Sequence, residues 1–178
     1  MKLNCSILLC CLISATASAQ IITKQERNYF NITQVSFLPG IGHFRLGDTK
    51  YKFDGKSYGL NTINGLFLTN KTSLGLGIGI QGIHNPNFNT ARIFIEIRQY
   101  LQNKRNGFFA TGEFGYNPRF GTSTIFTQGT FGEIGVGYKL LVKRIGIVSN
   151  IGYQIQHINT GSYKTNLNSL SISTGILF

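Results

Sequence analysis

The chain has 178 residues, a length that suits one domain, and its formal net charge is +11 because 17 Lys plus Arg face only six Asp plus Glu. It contains 22 Gly, 14 Phe and 8 Tyr, and charged residues account for 13% of it. Beyond the N-terminal segment no apolar run approaches the length of a membrane-spanning helix. A secreted β-sandwich and a β-barrel are both compatible with this composition, so the periodicity of the apolar residues has to decide between them.

The N-terminal residues have the pattern of a secretory signal peptide. Lys2 supplies a positive charge, residues 7–13 form a short apolar stretch, and Ala17-Ser18-Ala19 has the small-x-small form of a cleavage site. The apolar stretch is too short for a spanning helix, which needs about 20 apolar residues. We therefore predict a signal peptide at residues 1–19 and a single mature domain at residues 20–178.

All three cysteines, Cys5, Cys10 and Cys11, lie within this predicted signal peptide. A lipoprotein alternative would make Cys10 or Cys11 the acylated residue, but both lie too early and neither follows a small residue. The mature chain is then expected to have no thiol, no disulfide and no cysteine-based metal site. Its stability outside the cytoplasm has to come from another source, and a closed barrel provides one.

Eight segments are predicted as strands, and in chain order the first two are the least regular. Residues 29–38 have mixed faces, and residues 58–69 offer only Ile63 and Phe67 as apolar alternate positions. Residues 73–81 alternate strictly, with Leu or Ile at every second position and glycine between them. Residues 91–101 place Ile93, Ile95 and Ile97 on one face, opposite Arg92, Phe94, Glu96, Arg98 and Tyr100.

The second half of the chain continues the pattern in four segments. Residues 108–116 alternate aromatic or small residues with Thr111 and Glu113, and residues 133–140 alternate apolar residues with Glu133 and Lys139. Residues 145–156 are less regular, with isoleucines and Tyr153 opposite Asn and Gln. The final segment, residues 170–178, alternates apolar residues with serine and ends on Phe178.

The connections between these segments alternate in length. Short ones lie at residues 70–72, 102–106 and 143–144, and longer ones at residues 39–57, 82–89, 118–128 and 157–167. Alternating segments of about ten residues, joined by short turns on one side and longer loops on the other, are typical of outer-membrane barrels. We therefore predict an all-β fold, an antiparallel up-and-down barrel of eight transmembrane strands in the outer membrane.

Aromatic residues lie near the ends of the predicted strands. In membrane barrels such residues form girdles at the two interfaces, although aromatic residues are also good strand formers in general. The predicted girdles comprise Phe67, Phe108, Tyr138 and Phe178 toward the periplasmic rim, and Tyr116 and Tyr153 toward the outer rim.

The predicted signal peptide, the eight strands and the C-terminal strand resemble the small outer-membrane barrels of Gram-negative bacteria. Residues 73–79 (SLGLGIG), 94–101 (FIEIRQYL) and 135–138 (GVGY) are similar, more specifically, to porin-family barrels common in Bacteroidota. The resemblance covers the whole mature chain. It implies an outer-membrane location and recognition of the C-terminal strand, with its terminal Phe178, by the barrel-assembly machinery. It implies no specific activity, because those families are mostly of unassigned function.

Several charged residues fall on the predicted interior face. If face parity is kept across the turn containing Lys104 and Arg105, Glu96 lies nearly opposite Glu113, with Arg98 diagonal to Glu113. A pair of acid/base carboxylates or a polar conduit is one interpretation. A buried ion network that fills the narrow interior of an eight-stranded barrel is the other, and we favour it. Its predicted members are Arg92, Glu96, Arg98, Glu113, Glu133 and Lys139.

Residues 77–82 match the dinucleotide-binding fingerprint G-x-G-x-x-G. The motif works only where a strand passes into a helix, and here it lies within a predicted strand. The inward glycines are therefore expected to make room for bulky neighbours such as Phe94.

His157 is predicted to start a loop at the membrane edge. Lipid A 3-O-deacylases are barrels of similar size in which a nucleophilic serine follows a histidine by two residues, and Asn159 occupies that position here. Ser162 would need a different geometry to replace that serine. The other mature histidines, His43 and His84, also lie in predicted loops. No metal site and no cofactor is predicted.

Most basic residues lie in predicted turns and loops, where they are expected to face anionic lipid phosphates and lipopolysaccharide. No nucleic-acid recognition motif is present. The longest loop, residues 39–57, is the best candidate for a contact surface. The predicted function is a non-enzymatic integral barrel with a structural or surface-interaction role carried by its external loops. The alternatives are a minor pore for small solutes and a lipid A modifying hydrolase.

Overall fold

The computed structural model describes residues 29–46, 49–52, 55–84, 87–102, 106–120, 128–142, 145–160 and 163–178. The predicted signal peptide, the turn residues Lys104, Arg105, Lys143 and Arg144, and Ser162 lie outside the described residues. Within those ranges no helix is long and apolar enough to cross a membrane.

Eight long strands form a closed antiparallel barrel in the order β1-β10-β9-β8-β7-β6-β5-β4, and β2 and β3 form a separate hairpin. The predicted fold class, an up-and-down barrel of eight strands, is confirmed. The strands are β1 (Tyr29–Pro39), β2 (His43–Leu46), β3 (Thr49–Lys52), β4 (Lys56–Phe67), β5 (Thr72–His84), β6 (Phe88–Tyr100), β7 (Gly107–Phe120), β8 (Gln128–Val142), β9 (Ile145–Thr160) and β10 (Tyr163–Leu177).

The two ends of the barrel are distinguished by their connections. At one end, called the short-turn end, β4, β6 and β8 end, β5, β7 and β9 begin, and Phe178 lies. At the opposite end, called the far end, β1, β5, β7 and β9 end and β4, β6, β8 and β10 begin. The hairpin of β2 and β3 belongs to the far-end connection between β1 and β4 and contacts β10. The backbone also ties this connection to β10 through the amide of Ile41, which donates to the carbonyl of Asn168 at 2.8 Å.

Two of the predicted long connections are wrong, because most of their residues belong to strands. Within residues 82–89, Ile83 pairs with Phe88, and within residues 157–167 the pairing of β9 with β10 continues up to Thr160 and Tyr163. The sequence misled because the outward residues become polar from His157 onward, while Ile158 and Leu167 still point inward. The hydrogen-bonded ladder therefore continues after the apolar alternation has ended.

The barrel has an apolar outside and a charged inside. On β6 the outward Ile93, Ile95 and Ile97 are 56%, 49% and 50% exposed, whereas the alternate Arg92, Glu96 and Arg98 are 1–2% exposed. Equivalent outward Leu, Ile, Val and Phe residues on the other strands form an apolar band around the barrel. Such an inverted arrangement exposes far more apolar surface than a water-soluble monomer does, and it is typical of a barrel whose strands face lipid.

The predicted faces of β4 are wrong. Ile63 is fully buried inside the barrel, and Phe67 packs against the interior apolar cluster. The outward positions of β4 are instead Tyr58, Leu60, Thr62, Asn64 and Leu66. Because two of these five outward residues are polar, the two faces of β4 differ little in hydropathy. The alternation therefore could not indicate which face points inward.

Candidate functional site: the charged interior and the outer surface

Three carboxylates lie side by side inside the barrel. The register pairs Glu96 on β6 with Glu113 on β7, as expected from the sequence, and pairs Glu113 with Glu133 on β8. All three side chains are buried, and Gln154 on β9 follows Glu133 in the same row. Like charges directly opposite each other across strands are destabilising. The row therefore requires cations close by.

Two arginines of β6 supply those cations. Arg98 Nη2 lies 2.8 Å from Glu96 Oε2, and Arg92 Nη2 lies 3.6 Å from Glu113 Oε2. Arg92 Nη2 also donates to Gln154 Oε1 at 3.1 Å, which links β6 to β9 across the interior. The pairing places a guanidinium beside two of the three carboxylates.

Aromatic rings cover the faces of the interior cations. The guanidinium carbon of Arg92 lies 3.9 Å from the ring centroid of Phe131, and that of Arg98 lies 4.4 Å from Phe109. The ammonium of the buried Lys139 lies 4.5 Å from the ring centroid of Tyr100. Each such contact stabilises a desolvated cation by about 1–2 kcal/mol. The structure thus places all six residues of the predicted ion network inside the barrel, although Lys139 lies among rings.

Apolar side chains close the interior on both sides of the charged row. A large cluster extends from the short-turn end into the middle and consists of Phe30, Ile32, Ile63, Phe94, Tyr100, Phe109, Phe131, Val148 and Leu177, with Phe67 and Leu141 packed against it. A second cluster, Ile83, Phe88, Ile158 and Leu167, lies toward the far end. Phe94 and Phe131 of the large cluster lie on the far-end side of the charged row, so apolar side chains flank the row on both sides.

Glycines of the sequence motif in residues 77–82 serve packing. A Cβ atom built on Gly77 would overlap the ring of Phe94, which occupies the space that this glycine leaves. Phe94 in turn stacks edge-on against Phe131 at 5.8 Å between ring centroids. The expectation that inward glycines make room for Phe94 is confirmed, and the motif lies within β5.

Five of the six predicted girdle aromatics point outward. Phe108 and Phe178 lie at the short-turn end, and Phe108 packs edge-on against Tyr138 at 4.9 Å. Tyr116 lies toward the far end and donates to Gln128 Oε1 at 2.5 Å. Tyr153 lies within the apolar band instead of at its rim. The sixth, Phe67, packs inside against Phe30 and Tyr100 at 5.4 and 5.7 Å between centroids, because β4 has the opposite phase to that predicted.

His157 lies in β9, not at the start of a loop. The register places Thr130 of β8 on one side of it and Asn166 of β10 on the other, and the His157 ring Nδ1 hydrogen-bonds to the Asn166 side-chain oxygen. Below this polar row the outward Gly132 leaves a gap in the apolar band. The resulting groove has a volume of about 350 Å³ and is lined by Phe114, Ile134, Tyr153, Ile155, Thr130 and His157.

The sequence analysis missed a polar patch within the apolar band. Asn31 and Thr33 of β1 and Thr62 and Asn64 of β4 all point outward and lie beside one another in the register. The irregular alternation of the first two predicted strands was the signal that could have revealed it. In the described ranges no group of three or more His, Cys, Asp or Glu side chains has the arrangement of a metal site.

Comparison with known proteins supports the fold. No family model and no curated protein matches the chain. Among solved structures, the crystal structure of Neisserial surface protein A (NspA) superposes with a TM-score of 0.55 at 11% identity, covering 84% of this chain and 95% of that one. The outer membrane protein OprG from Pseudomonas aeruginosa gives a TM-score of 0.49 at 10% identity, covering 85% and 95%. The more specific resemblance to Bacteroidota porin-family barrels stays a prediction. This chain is thus similar in fold to the β-barrel of a bacterial surface protein.

Proposed function

We propose that the protein is an integral barrel of the outer membrane that acts without enzymatic chemistry, through the surface it presents at the far end. The observation that carries this proposal is the inversion of the two faces, with an apolar band outside and a paired ion network inside. The outward residues from the first to the last apolar one cover residues 108–116 on β7, 134–142 on β8, 145–155 on β9 and 170–178 on β10. These lengths match the 9–11 residues that a tilted strand needs to cross a membrane.

Beyond the band, β8, β9 and β10 continue with polar outward residues. His157, Asn159, Lys164 and Asn166 point outward on this extension, while Ile158 and Leu167 hold it from within. We propose that the extension, together with the β2–β3 hairpin, projects from the outer face of the membrane. Lys164 then lies near anionic lipid phosphates and lipopolysaccharide, and the C-terminal strand with Phe178 serves as the signal for the barrel-assembly machinery.

Labelling of single introduced cysteines tests this topology. Lys164→Cys lies on the extension, and Leu101→Cys is a matched control at the short-turn end, where Leu101 is also exposed. A membrane-impermeant maleimide applied to intact cells should label the first variant and spare the second, with wild type as the blank. Equal labelling of both, or a wild-type protein whose gel mobility does not change on boiling, would refute the proposal.

A pore for small solutes is the weaker alternative, because the interior is filled. The rings of the large apolar cluster pack against the cations of the ion network, and the second cluster lies toward the far end. Side chains of an eight-stranded barrel leave little room for a channel. Planar-bilayer recordings of the purified protein should show no stable conductance above the lipid background.

Hydrolysis of a lipid acyl ester is a second candidate, favoured by the row of Thr130, His157 and Asn166 above the apolar groove. The hydrogen bond to Asn166 orients the ring through Nδ1 and leaves Nε2 to accept a proton from a hydroxyl group, and the register places Thr130 beside it. Mass spectrometry of lipid A from cells with and without the protein tests this candidate. Unchanged lipid A excludes it, and an activity that survives both Thr130→Val and His157→Gln assigns the chemistry elsewhere.

A further inference from the structure

The polar patch of Asn31, Thr33, Thr62 and Asn64, called the amide patch below, lies at the depth of the apolar band. On β5, Asn64 is next to Leu76 and Thr62 is next to Ile78, and these neighbours are 66% and 61% exposed. On the other side Thr33 is next to the exposed Ile176 of β10. Apolar side chains thus flank Thr33, Thr62 and Asn64, while Asn31 pairs with the terminal Phe178 at the short-turn end.

The outward neighbours of the patch along β4 are also apolar. Leu66 follows Asn64 toward the short-turn end and Leu60 follows Thr62 toward the far end, and both are exposed. The patch therefore faces hydrocarbon if the apolar band does. This step rests on the membrane location proposed above.

Hydrogen bonds within the patch do not use all of its polar groups. Asn31 Nδ2 donates to Asn64 Oδ1 at 2.8 Å, the Thr33 hydroxyl lies 3.4 Å from that of Thr62, and the Tyr29 hydroxyl also donates to Asn64 Oδ1. A primary amide carries two N–H donors, and those of Asn64 have no partner in the part of the chain that the structure describes. A polar group left without a partner in hydrocarbon is unfavourable by several kcal/mol.

We propose that the amide patch is the contact through which two copies of this chain associate side by side in the membrane. The patch carries amides and hydroxyls and no charge, so it offers donors and acceptors together and complements itself. A twofold axis through the patch would bring each Asn64 amide to the oxygens of the other copy, as in an isologous interface. Lipid tails offer no such partner, and polar side chains commonly join protein surfaces inside membranes.

Disulfide cross-linking in native membranes tests this contact. Thr33→Cys and Thr62→Cys place a thiol in the patch, and Ile95→Cys is the matched control in the same band on β6, two strands away from β4. Because Cys5, Cys10 and Cys11 are the only native cysteines, wild type provides the background. Mild oxidation should convert at least one patch variant into a product of twice the monomer mass and leave the control monomeric.

A double variant, Asn31→Leu with Asn64→Leu, tests the chemistry of the contact. Both leucines should be tolerated at lipid-facing positions, so the variant should still show heat-modifiable migration. Its dimer fraction in mild detergent, measured by sedimentation, should fall on the order of tenfold relative to wild type. A matched pair of changes outside the patch, Ile93→Leu with Ile97→Leu, should leave the dimer fraction unchanged.

The outcomes separate this inference from the proposed function. Patch variants that cross-link no more than Ile95→Cys, a product of a mass other than twice the monomer, or a double variant that dimerises like wild type would each overturn the dimer. A wild-type protein whose gel mobility does not change on boiling would instead overturn the proposed membrane barrel. The three outcomes that overturn the dimer do not affect the proposal of a membrane barrel.

Discussion

Arg98 provides the sharpest test of the interior, because its partner is identified and both are buried. Arg98 Nη2 lies 2.8 Å from Glu96 Oε2, with side-chain exposures of 2% and 1%. Arg98→Met removes the cation and leaves the Glu96 carboxylate buried beside Glu113. Breaking one side of a buried pair costs about 3–5 kcal/mol, and loss of the stack on Phe109 adds about 1 kcal/mol. We therefore expect the free energy of unfolding to fall by about 4–6 kcal/mol.

The chain has no Trp, so the folded fraction is best measured by gel mobility without boiling, after equilibration with lipid vesicles in increasing urea. Replacing both partners, Arg98→Met with Glu96→Gln, should restore stability to within about 1 kcal/mol of wild type, because neither member of this pair then leaves a buried charge without its partner. Lys164→Met, on the exposed extension, should change stability by less than about 0.5 kcal/mol. An Arg98→Met variant within about 1 kcal/mol of wild type would refute the assignment of this pair as a structural element.

Three further outcomes follow from the packing and the two faces. Gly77→Leu should lower the free energy of unfolding by more than ordinary overpacking, which costs about 1–3 kcal/mol, because a Cβ at this position overlaps the Phe94 ring. Near-native stability would contradict the packing described. Ile95→Lys should destabilise the barrel by about 2–4 kcal/mol in vesicles, and a neutral effect would argue against contact of this face with lipid. Combined Phe30→Ala and Phe109→Ala should open a measurable conductance in planar bilayers, and an unchanged baseline would show that other side chains close the interior.

The fold was predictable because the strands from β5 onward carry a strong two-residue period. Residues 73–81 and 91–101 each expose one apolar face. Because the barrel is closed, the alternate residues on the opposite face of each strand must point into its interior. This is why the alternation alone assigns the six charged network residues to the inside of the barrel. The pairing of Glu96 with Glu113 followed from the same parity across one turn.

The strand ends and the phase of β4 could not be predicted, for one physical reason. Sequence periodicity reports the difference in polarity between the two faces of a strand, and it disappears wherever the outward residues are polar. This happens at Asn166 and His157, where the ladder continues beyond the band, and at Thr62 and Asn64, where polar residues lie within it. The row of Thr130, His157 and Asn166 depends on the pairing of β9 with both β8 and β10, which no local pattern encodes.

In the extension of β8, β9 and β10, alternate residues of one hydrogen-bonded ladder have different roles. Inward residues such as Ile158 and Leu167 pack in a buried cluster and stabilise this wall of the barrel, while outward residues such as Asn159 and Lys164 contribute little to its stability. Changes at every second position can therefore alter what the wall presents without loosening it. A partner that contacts this wall meets a rigid sheet, so it avoids much of the ordering entropy that a mobile loop would impose on binding.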